Sequence, residues 1–575
     1  MDFNAEYKRW LGFDGLNAEE KAELVSIENN EELKELRFSA PMSFGTAGLR
    51  STMYMGIGCM NRFTVAQTTR GIAALIKADN GEKRGVAIAY DSRNNSESFA
   101  RVSASILAYN GIKVYIFDSL RPTPELSFAV RYFDAIAGIN ITASHNPKEY
   151  NGYKAYWADG AQINPEQAKI VSTERSKFDV LDTEGMDYYE KGIEAGLITV
   201  LDESFDENYI NAVLKTSINS ELVKNVSDTL KVVYTPLHGA GYKLVPEIFK
   251  RVGLKNLYTV TTQMTPDGNF PTVKKPNPEY ADVFTDGIAI ANEVGSDLVI
   301  ATDPDSDRVG VMARGVDGSF KTINGNQMGA LLLDYVITQK RELGTLSATA
   351  FAVKSIVSTD MAYKIAEDNG VKLYDVYTGF KFIGEVIKSY EAKGDDASFL
   401  LGFEESYGYL LGSYARDKDA VGASMTILEM TAYYNSKGMT LIDALDKLYE
   451  KYGLYAERTV DLYMEGLDGI EKRKRVMSSL RNNVPASFGG IAVVEARDYL
   501  EGIIRYTATG KTESTGFEPS DVLYYVLANG DKIVVRPSGT EPKIKIYVLA
   551  HGDDKNELDK KIEAYCTDAN AVAEV

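Results

Sequence analysis

Short apolar runs recur along the chain in rounds of three, and segments with helical periodicity separate them. One such segment, SFARVSASILAYNG at residues 98–111, has the spacing of a helix with one buried face. Strands that alternate with helices are typical of a mostly parallel sheet. The pattern predicts nine strands, which begin near Gly85, Lys113, Ala135, Lys231, Asn256, Ser296, Ala348, Lys372 and Ser398.

The two ends of the chain depart from this pattern. Residues 1–40 are rich in Glu and Lys and predict one or two helices that form a polar cap. Near the other end, KIVV and KIKIYVLA flank RPSGTEP and predict two strands joined by a loop. We therefore predict an α/β protein with three similar mixed-sheet domains, at 1–205, 206–318 and 319–455, and a C-terminal α+β domain at 456–575. A length of 575 residues agrees with about four domains.

Composition and charge narrow the class of protein. No apolar run approaches the ~18 residues that span a bilayer, and the polar start MDFNAEYKRW lacks the apolar core of a signal peptide. Two cysteines, Cys59 and Cys566, are too few for a disulfide framework, so we expect a cytoplasmic protein. A net charge of −19 repels nucleic acid and anionic membranes, and we expect neither as a partner. An anionic substrate would need a few well-placed cations.

The third strand of each round ends in a short polar motif, and the three motifs are TASHN, DPDSDR and GFEES. Ligands of open α/β sheets bind just beyond the carboxyl ends of the strands. Three sheets that each present one motif from the same place therefore predict three similar domains around one central cleft.

Ser144 in TASHN has more than one interpretation. A capped helix start explains a Ser beside a His, with Ser144 or Asn146 as the cap. A serine hydrolase is disfavoured because the G-x-S-x-G elbow is absent and the other histidines are His238 and His551. Phosphoserine chemistry needs neither elbow nor triad, but it needs an exposed hydroxyl, nearby cations and a metal.

DPDSDR places Asp303, Asp305 and Asp307 at alternate positions after a strand. Hard oxygen ligands of this kind suit Mg²⁺, which also takes phosphate oxygens and water. A calcium EF-hand is excluded, because position six of such a loop would be Arg308 instead of Gly and position twelve would be Arg314. The segment also resembles phosphatases in which an aspartate after a strand is phosphorylated, so Asp303 as the nucleophile stays open.

Four further segments hold side chains suited to a phosphosugar. GFEES offers carboxylates that accept hydrogen bonds from sugar hydroxyls, although a solvated turn explains the same residues. RPSGTEPK is suited to an anion, because Arg536 can bind phosphate bidentately and Gly539 lets backbone N–H groups converge. FGTAGLR and TGFKF add Thr46, Arg50 and Lys381 on loops that are unspecific when taken alone.

Six segments, taken in chain order, resemble the α-D-phosphohexomutase superfamily. They are FGTAGLR, TASHNPKEYNGYK, DPDSDR, TGFKF, GFEESYGY and RPSGTEPK. The resemblance runs from about residue 40 to the end, and T-A-S-H-N-P followed by D-P-D-x-D-R is a highly specific combination. The long N-terminus and GFEESYGY are similar to the bacterial phosphoglucomutase branch. The resemblance implies a heart-shaped molecule whose four domains meet at one cleft. Many members read G-E-x-S-G where this chain reads GFEESYG, which leaves the sugar preference open.

The resemblance also implies a role for each matched residue. Ser144 carries the phosphoryl group, and the implied metal ligands are Ser144, Asp303, Asp305 and Asp307. The implied catalytic residues around the reacting group are Ser144, His145, Lys154, Arg308 and Lys381. His145 and Lys154 are both candidates for the acid and base. The implied substrate-binding residues are Thr46, Arg50, Glu404, Glu405, Ser406, Arg536, Ser538, Gly539 and Thr540.

The implied activity is a phosphosugar mutase that interconverts glucose 1-phosphate and glucose 6-phosphate through phosphoserine. The resemblance also implies Mg²⁺ as cofactor, glucose 1,6-bisphosphate as intermediate and activator, and phosphosugars as partners. The implied oligomeric state is a monomer or weak homodimer. Phosphomannomutase or phosphopentomutase specificity and an aspartyl-phosphate enzyme are the alternatives. A catalytically silent phosphosugar-binding protein is a further alternative. The presence of both Ser144 and the three aspartates argues against it.

Overall fold

The computed structural model describes residues 2–46, 48–464, 469–538 and 543–572, apart from the side chain of Ile470. Gly539 and Thr540 of the predicted phosphate-binding loop lie outside the described residues. The chain divides into two compact units. The first is Met1–Ser355 with Tyr374–Ile442, and the second is Ile356–Leu373 with Asp443–Val575. Within the described ranges, no helix is long and apolar enough to cross a membrane.

The N-terminal segment forms three helices, where the sequence pattern predicted one or two. They are α1 (Phe3–Leu11), α2 (Ala18–Ser26) and α3 (Glu31–Phe38). The prediction was too low because Gly12 ends α1, and the side chains of Asn17 and Asn30 each cap a new helix start. The cap is not polar throughout, since Trp10 is fully buried and packs edge to face on Phe63.

The first sheet is mixed and has helices on its faces. Its strands are β1 (Leu49–Thr52), β2 (Val86–Tyr90), β3 (Val114–Phe117), β4 (Ala137–Ile141), β5 (Tyr150–Trp157) and β6 (Ile198–Leu201). The helices of this region are α4 (Arg62–Ala78), α5 (Ser96–Tyr109), α6 (Thr123–Tyr132), α7 (Pro165–Arg175), α8 (Tyr189–Glu194), α9 (Glu203–Leu214) and α10 (Glu221–Val226). The order is β1-β5-β4-β2-β3-β6, and β5 runs antiparallel to both β1 and β4.

The second sheet follows in the chain. Its strands are β7 (Lys231–Thr235), β8 (Asn256–Thr259), β9 (Leu298–Thr302), β10 (Val309–Arg314) and β11 (Phe320–Ile323), in the order β11-β10-β9-β7-β8. The helices are α11 (Gly241–Arg251) and α12 (Thr285–Val294), with short 3₁₀ turns at Thr261–Gln263 and Ala281–Phe284. Strand β7 is parallel to β8 and β9, and the β9–β10 and β10–β11 pairs are antiparallel.

The third sheet has the order β13-β12-β14-β15. Its strands are β12 (Phe351–Ser355), β13 (Lys372–Val376), β14 (Phe399–Glu404) and β15 (Gly408–Leu410). The helices are α13 (Gly325–Glu342), α14 (Met361–Asn369), α15 (Phe380–Glu391) and α16 (Ala420–Ser436), with a 3₁₀ turn at Asp396–Ser398. Strand β14 is parallel to β12 and antiparallel to β15.

These three sheets repeat one topology, which confirms the predicted α/β class with similar mixed sheets. The shared order is β3-β2-β4-β5 in the first sheet, β8-β7-β9-β10 in the second and β13-β12-β14-β15 in the third. In each sheet, the third strand of the round turns into an antiparallel hairpin. The loops of these hairpins carry TASHN, DPDSD and EES, so the three motifs occupy equivalent places.

The C-terminal sheet is antiparallel, as expected for an α+β domain. Its strands are β16 (Leu454–Tyr463), β17 (Ser487–Phe488), β18 (Ile491–Asp498), β19 (Ile503–Tyr506), β20 (Thr512–Ser514), β21 (Leu523–Leu527), β22 (Lys532–Pro537) and β23 (Lys543–Gly552). The helices are α17 (Leu441–Tyr452), α18 (Gly469–Asn482) and α19 (Lys555–Ala571). The order is β16-β23-β22-β21-β18-β19-β20, with β17 paired to β18.

Candidate active site

The TASHN loop joins β4 to β5, and Ser144 lies three residues past the end of β4. The Ser144 Oγ donates a hydrogen bond of 2.8 Å to Asp303 Oδ2. Ser144 is only 3% exposed, so the expectation of an exposed hydroxyl was wrong. The hydroxyl is buried because it faces the acidic loop of the second sheet instead of solvent. This contact joins the candidate nucleophile to the candidate metal ligands.

The acidic loop between β9 and β10 buries three carboxylates side by side. Asp303, Asp305 and Asp307 each offer an oxygen, and these oxygens lie within 4.8 Å of one another. Asp303 Oδ1 accepts hydrogen bonds of 3.1 Å from the backbone N–H groups of Asp307 and Arg308. The tight turn of the loop therefore stabilises its own first carboxylate.

Two buried lysines neutralise the acidic loop. Lys154 Nζ, on β5, lies 2.7 Å from Asp305 Oδ2 and 3.4 Å from Asp307 Oδ2. Lys418 Nζ lies 2.9 Å from Asp307 Oδ2. Lys418 was not predicted, because Arg-Asp-Lys-Asp before α16 has the composition of a solvated charged turn. A charged run that follows GFEESYGY so closely was the available signal.

Burial and mutual charge set the protonation of this group. Burial, together with the charges of Asp305 and Asp307, raises the pKa of Asp303 well above its usual range. Burial also acts to raise the pKa of Asp305. The ammonium of Lys154 and the hydrogen bonds that the Asp305 carboxylate accepts outweigh burial and lower that pKa below its usual range. Burial acts to lower the pKa of Lys154, but the carboxylates of Asp305 and Asp307 outweigh it and raise the pKa. Lys154 is therefore held as a cation.

The acidic loop fits a divalent metal ion. The Oδ1 atoms of Asp305 and Asp307 are buried, and neither accepts a hydrogen bond from any described residue. Arg308 Nε lies 3.9 Å from Asp307 Oδ1, which is too far for a hydrogen bond. A buried carboxylate oxygen without a hydrogen bond is costly, and a bound cation would relieve the cost for both atoms at once. Clustered carboxylate oxygens are the ligands that hard divalent cations prefer. Asp303, Asp305 and Asp307 can therefore hold a metal.

Cationic and imidazole groups surround the Ser144 hydroxyl. His145 Nδ1 lies 3.2 Å from Ser144 Oγ. Burial, with the charges of Arg308 and Arg50, lowers the pKa of His145 well below its usual range, so the ring is neutral near pH 7. Arg308 pairs with Glu279, which the sequence analysis did not single out. Arg50 Nη1 donates to Asn146 Oδ1 at 3.1 Å, within the TASHN loop.

The predicted sugar-binding loop joins β14 to β15 and contains Glu405 and Ser406. Glu404, at the end of β14, is 4% exposed, and its Oε1 accepts a 2.6 Å hydrogen bond from the N–H of Gly379. Burial and the neighbouring Glu405 raise the pKa of Glu404. Glu405 Oε2 accepts a hydrogen bond of 3.0 Å from Ser355 Oγ. Glu404 is thus buried within the first unit, whereas Glu405 is partly exposed.

Lys381 is brought to the same region through the TGFKF segment. It is the second residue of α15, and Gly379, just before that helix, contacts Glu404. Partial burial lowers the pKa of Lys381 below its usual value. No described contact joins Lys381 to the acidic loop or to Ser144.

Hydrogen bonds from neighbouring segments hold the acidic loop in place. Thr123, at the start of α6, donates its N–H to Asp305 O at 2.8 Å and its hydroxyl to Asp305 Oδ2 at 2.7 Å. Ala420 N–H donates to Ser306 O at 3.1 Å. Val309 N–H, on β10, donates to Tyr407 O, also at 3.1 Å. The acidic loop is therefore held from both neighbouring sheets, and Thr123 gave no recognisable signal in the sequence.

The remaining predicted residues that the structure describes lie in two other segments of the chain. Thr46 lies beside Gly48, whose backbone N–H donates to Gly45 O at 2.9 Å. Gly48 has φ +77°, and a Cβ there would lie 1.8 Å from the carbonyl oxygen of Tyr153, so glycine is required. In the second unit, Ser538 N–H donates to Lys543 O at 2.8 Å, next to Arg536 at the end of β22.

The environment of His145 makes a testable prediction. In the dephosphorylated enzyme without added metal, its imidazole should titrate well below about 6.5, because burial and the guanidinium groups of Arg308, Arg50 and Arg93 disfavour the charged form. With three histidines in the chain, ¹H–¹³C NMR of labelled protein can follow each ring, and His145→Gln identifies the signal. A midpoint at or above about 6.5 would contradict the geometry described for this ring.

Comparison with known proteins shows the family of the chain. Models of phosphoglucomutase/phosphomannomutase alpha/beta/alpha domains I, II and III match residues 41–179, 207–316 and 324–452, and the model of the family's C-terminal domain matches 483–563. A phosphoglucomutase of Staphylococcus saprophyticus is 37% identical over 535 residues, which are 93% of this chain and 95% of that protein. A phosphoglucomutase of Staphylococcus haemolyticus is 35% identical over 533 residues, which are 92% of this chain and 94% of that protein.

A solved structure shares the fold. It is the open form of pp63/parafusin, a phosphoglucomutase from Paramecium, with a TM-score of 0.67 and 19% identity over 94% of this chain and 95% of that one. Four domain models together match most of the chain, and the staphylococcal relatives cover nearly all of it. The chain therefore belongs to the phosphoglucomutase/phosphomannomutase family of the α-D-phosphohexomutase superfamily, and it is a phosphotransferase of the isomerase class.

Proposed function

We propose that this enzyme interconverts glucose 1-phosphate and glucose 6-phosphate, with phosphorylated Ser144 and glucose 1,6-bisphosphate as intermediates. The observation that carries the proposal is the 2.8 Å contact between Ser144 Oγ and Asp303, beside three clustered carboxylates and two buried lysines. A nucleophile and a cation site at this distance are what phosphoryl transfer requires. The staphylococcal phosphoglucomutases that this chain resembles support glucose as the sugar.

The reaction consists of two transfers that mirror each other. In the first, the bond between phosphorus and Ser144 Oγ breaks, and phosphorus bonds to the free hydroxyl oxygen of the sugar monophosphate. The hydroxyl proton passes to a base, and Ser144 Oγ takes a proton from an acid. The bisphosphate then turns end for end and returns its other phosphoryl group to Ser144. The two transfers restore the phosphoenzyme and release the isomeric monophosphate.

His145 and Lys154 are both candidates for the acid and base. His145 is neutral and lies 3.2 Å from Ser144 Oγ, so its ring is placed to exchange a proton with that oxygen. Lys154 is kept charged by Asp305 and Asp307, so it can also neutralise phosphoryl oxygens. Arg308 also stays charged, since Glu279 and Asp307 outweigh the effect of burial on its pKa, and it can neutralise phosphoryl oxygens.

The metal is proposed to be Mg²⁺. Asp303, Asp305 and Asp307, with an oxygen of phosphorylated Ser144, would hold it. When bound, it would neutralise charge on the phosphoryl oxygens. Lys154 and Lys418 meanwhile keep the carboxylates in place through the ion pairs described above.

Recognition of the rest of the substrate is assigned to other loops. Glu404, Glu405 and Ser406 would bind sugar hydroxyls, since buried carboxylates accept such bonds well. Thr46, Arg50 and Lys381 would contact the substrate beside them. Arg536, Ser538, Gly539 and Thr540 would bind the phosphate that is not being transferred. The four domain boundaries predicted from the sequence, a cytoplasmic location, and a monomeric or weakly dimeric state belong to the same proposal.

A direct assay separates the candidate functions. Coupled assays with glucose 1-phosphate, mannose 1-phosphate and ribose 1-phosphate, run side by side, should give the highest kcat/KM with glucose 1-phosphate. A preference for mannose or ribose would keep the mutase chemistry and change the substrate. The absence of turnover with all three, under conditions where a phosphoglucomutase control is active, would favour a phosphosugar-binding protein.

We predict that Ser144→Ala abolishes mutase turnover and leaves the fold intact. The change removes the hydroxyl that carries the phosphoryl group and one hydrogen bond to Asp303. Intact-mass measurements should find one phosphoryl group on the wild-type chain and none on the variant. The label on the wild type should resist hydroxylamine, as a phosphoserine does. A hydroxylamine-labile label on Asp303 would instead support the aspartyl-phosphate alternative.

We predict that Asp305→Asn lowers kcat by about a hundredfold or more and changes KM far less. Asp305 combines a buried, unpartnered Oδ1 with an ion pair to Lys154, so the amide would weaken both metal binding and charge balance. Added Mg²⁺ should restore little activity. The matched control is Asp228→Asn, at a carboxylate that is 84% exposed, and it should behave as wild type. If kcat of Asp305→Asn stayed within about twofold, the metal would bind elsewhere.

We predict that Arg536→Lys raises KM about tenfold for both glucose 1-phosphate and glucose 6-phosphate. Each substrate presents its phosphate to this loop in one of the two transfers, and lysine cannot copy the planar fork of arginine. More bisphosphate should escape during turnover, while Ser144 should still become phosphorylated. Arg505→Lys, at an exposed position on β19, is the control. Unchanged KM values and unchanged bisphosphate release would show that the RPSGT segment is only a turn.

A further inference from the structure

The backbone of Ser144 is strained. Its φ is +53°, in the left-handed region that residues other than glycine seldom occupy. Such a conformation persists only where the surrounding structure fixes it, and it is common at functional sites. Here it has a visible consequence, because it aims the Ser144 hydroxyl at Asp303. The residues that hold this conformation therefore determine where the phosphoryl group sits.

Two side chains at the ends of neighbouring strands fix the N–H of Ser144. Strands β2 and β4 are parallel neighbours, with Tyr90 opposite Ile141, and Asp91 and Thr142 are the next residue on each. Thr142 Oγ1 donates a 2.6 Å hydrogen bond to Asp91 Oδ2 and accepts a 2.8 Å hydrogen bond from the N–H of Ser144. Both side chains are buried. The hydroxyl of Thr142 thus links the buried carboxylate of Asp91 to the backbone of Ser144.

One buried arginine fixes the other side of the loop. Arg93 Nη1 donates to the carbonyl oxygens of Pro147 at 2.8 Å and Tyr150 at 2.9 Å. Its Nη2 donates to the carbonyl oxygen of Ser144 at 2.6 Å and also to that of Asn146. A planar guanidinium is well suited to hold several carbonyls in a fixed arrangement.

Arg93 is itself held from two directions. Asp91 Oδ2 lies 3.4 Å from Arg93 Nε, and both side chains are fully buried. The ring of Phe270, from the loop after β8, lies 5.1 Å from the guanidinium carbon. Asp91, Arg93 and Thr142, here called the clamp, therefore join the first sheet to a loop of the second sheet, and the guanidinium of Arg93 is shielded from water.

We propose that Asp91, Arg93 and Thr142 are positioning residues that lock Ser144 in the left-handed conformation, so that its oxygen meets the acidic loop in the same place in both transfers. None of the three is among the residues to which the proposed mechanism gives contact with substrate or metal. Their effect should therefore fall on the rate of phosphoryl transfer and not on substrate binding. The inference rests on the proposed function, in which phosphorylated Ser144 is the donor.

Thr142 gives the cleanest test, because valine has nearly the same shape without the hydroxyl and serine keeps the hydroxyl. Thr142→Val should lower kcat about tenfold or more with little change in KM. The rate at which glucose 1,6-bisphosphate phosphorylates dephosphorylated Ser144 should fall by a similar factor in a single turnover. Thr142→Ser should recover most of both losses. Thr68→Val is the matched control, since Thr68 is also buried but its hydroxyl donates to a carbonyl within α4.

The outcomes separate the inference from the proposed function. If the wild-type enzyme showed no mutase activity and no phosphate on Ser144, the proposed function itself would fail. If the wild type were active and Thr142→Val kept kcat within about twofold, or Thr142→Ser lost as much as Thr142→Val, the clamp would be wrong. A rise in KM as large as the fall in kcat would also overturn it. If Thr142→Val did not fold, Arg93→Lys should show the same kcat-selective loss, and wild-type kcat in that variant would overturn the proposal.

Discussion

The buried carboxylates of Asp303, Asp305 and Asp307 bring oxygen atoms within 4.8 Å of one another, and the surrounding structure has to balance their charge. Like charges repel strongly at such distances in a low-dielectric interior, and a buried charge without a partner is costly. Lys154, Lys418 and backbone N–H groups supply part of the balance. Because two carboxylate oxygens still lack a donor among the described residues, the same arrangement creates the demand for a metal.

This local charge balance also explains how a chain with a negative net charge can bind an anionic substrate. The net charge is −19, so the overall field disfavours a sugar phosphate. At the site, however, Lys154, Arg308 and Lys418 are buried or nearly so, and their charges are screened little by solvent. Each comes from a different segment, and the backbone bond from Ala420 to Ser306 holds the segments of Lys418 and Arg308 together. Local placement of cations therefore outweighs the total charge.

The sequence was sufficient for the central strands of the first three sheets and for the motifs, because both depend on local pattern, but it did not predict the hairpin partners β5, β10 and β15. AIAGINITASH predicted β4 and placed Ser144 just after it, and SDLVIATDPDSD did the same for β9 and Asp303. The burial of Ser144 could not be foreseen, since it results from a contact with a residue far along the chain. Lys418 and Thr123 escaped notice for the same reason. Their surroundings in the sequence are ordinary, and only the tertiary fold brings them to the acidic loop.

The repeated topology places a residue with positive φ in three equivalent hairpin loops. The hairpin loops after β4, β9 and β14 each contain a non-glycine residue with positive φ, namely Ser144 at +53°, Ser306 at +51° and Tyr407 at +66°. Each such residue costs about 1–2 kcal/mol, so a fold without selection for these loops would replace it by glycine. Each is fixed by a bond from another part of the first unit: Ser144 by Arg93, Ser306 by Ala420 and Tyr407 by Val309. A side chain is therefore retained at a backbone position that favours glycine, and at Ser144 that side chain is the proposed nucleophile.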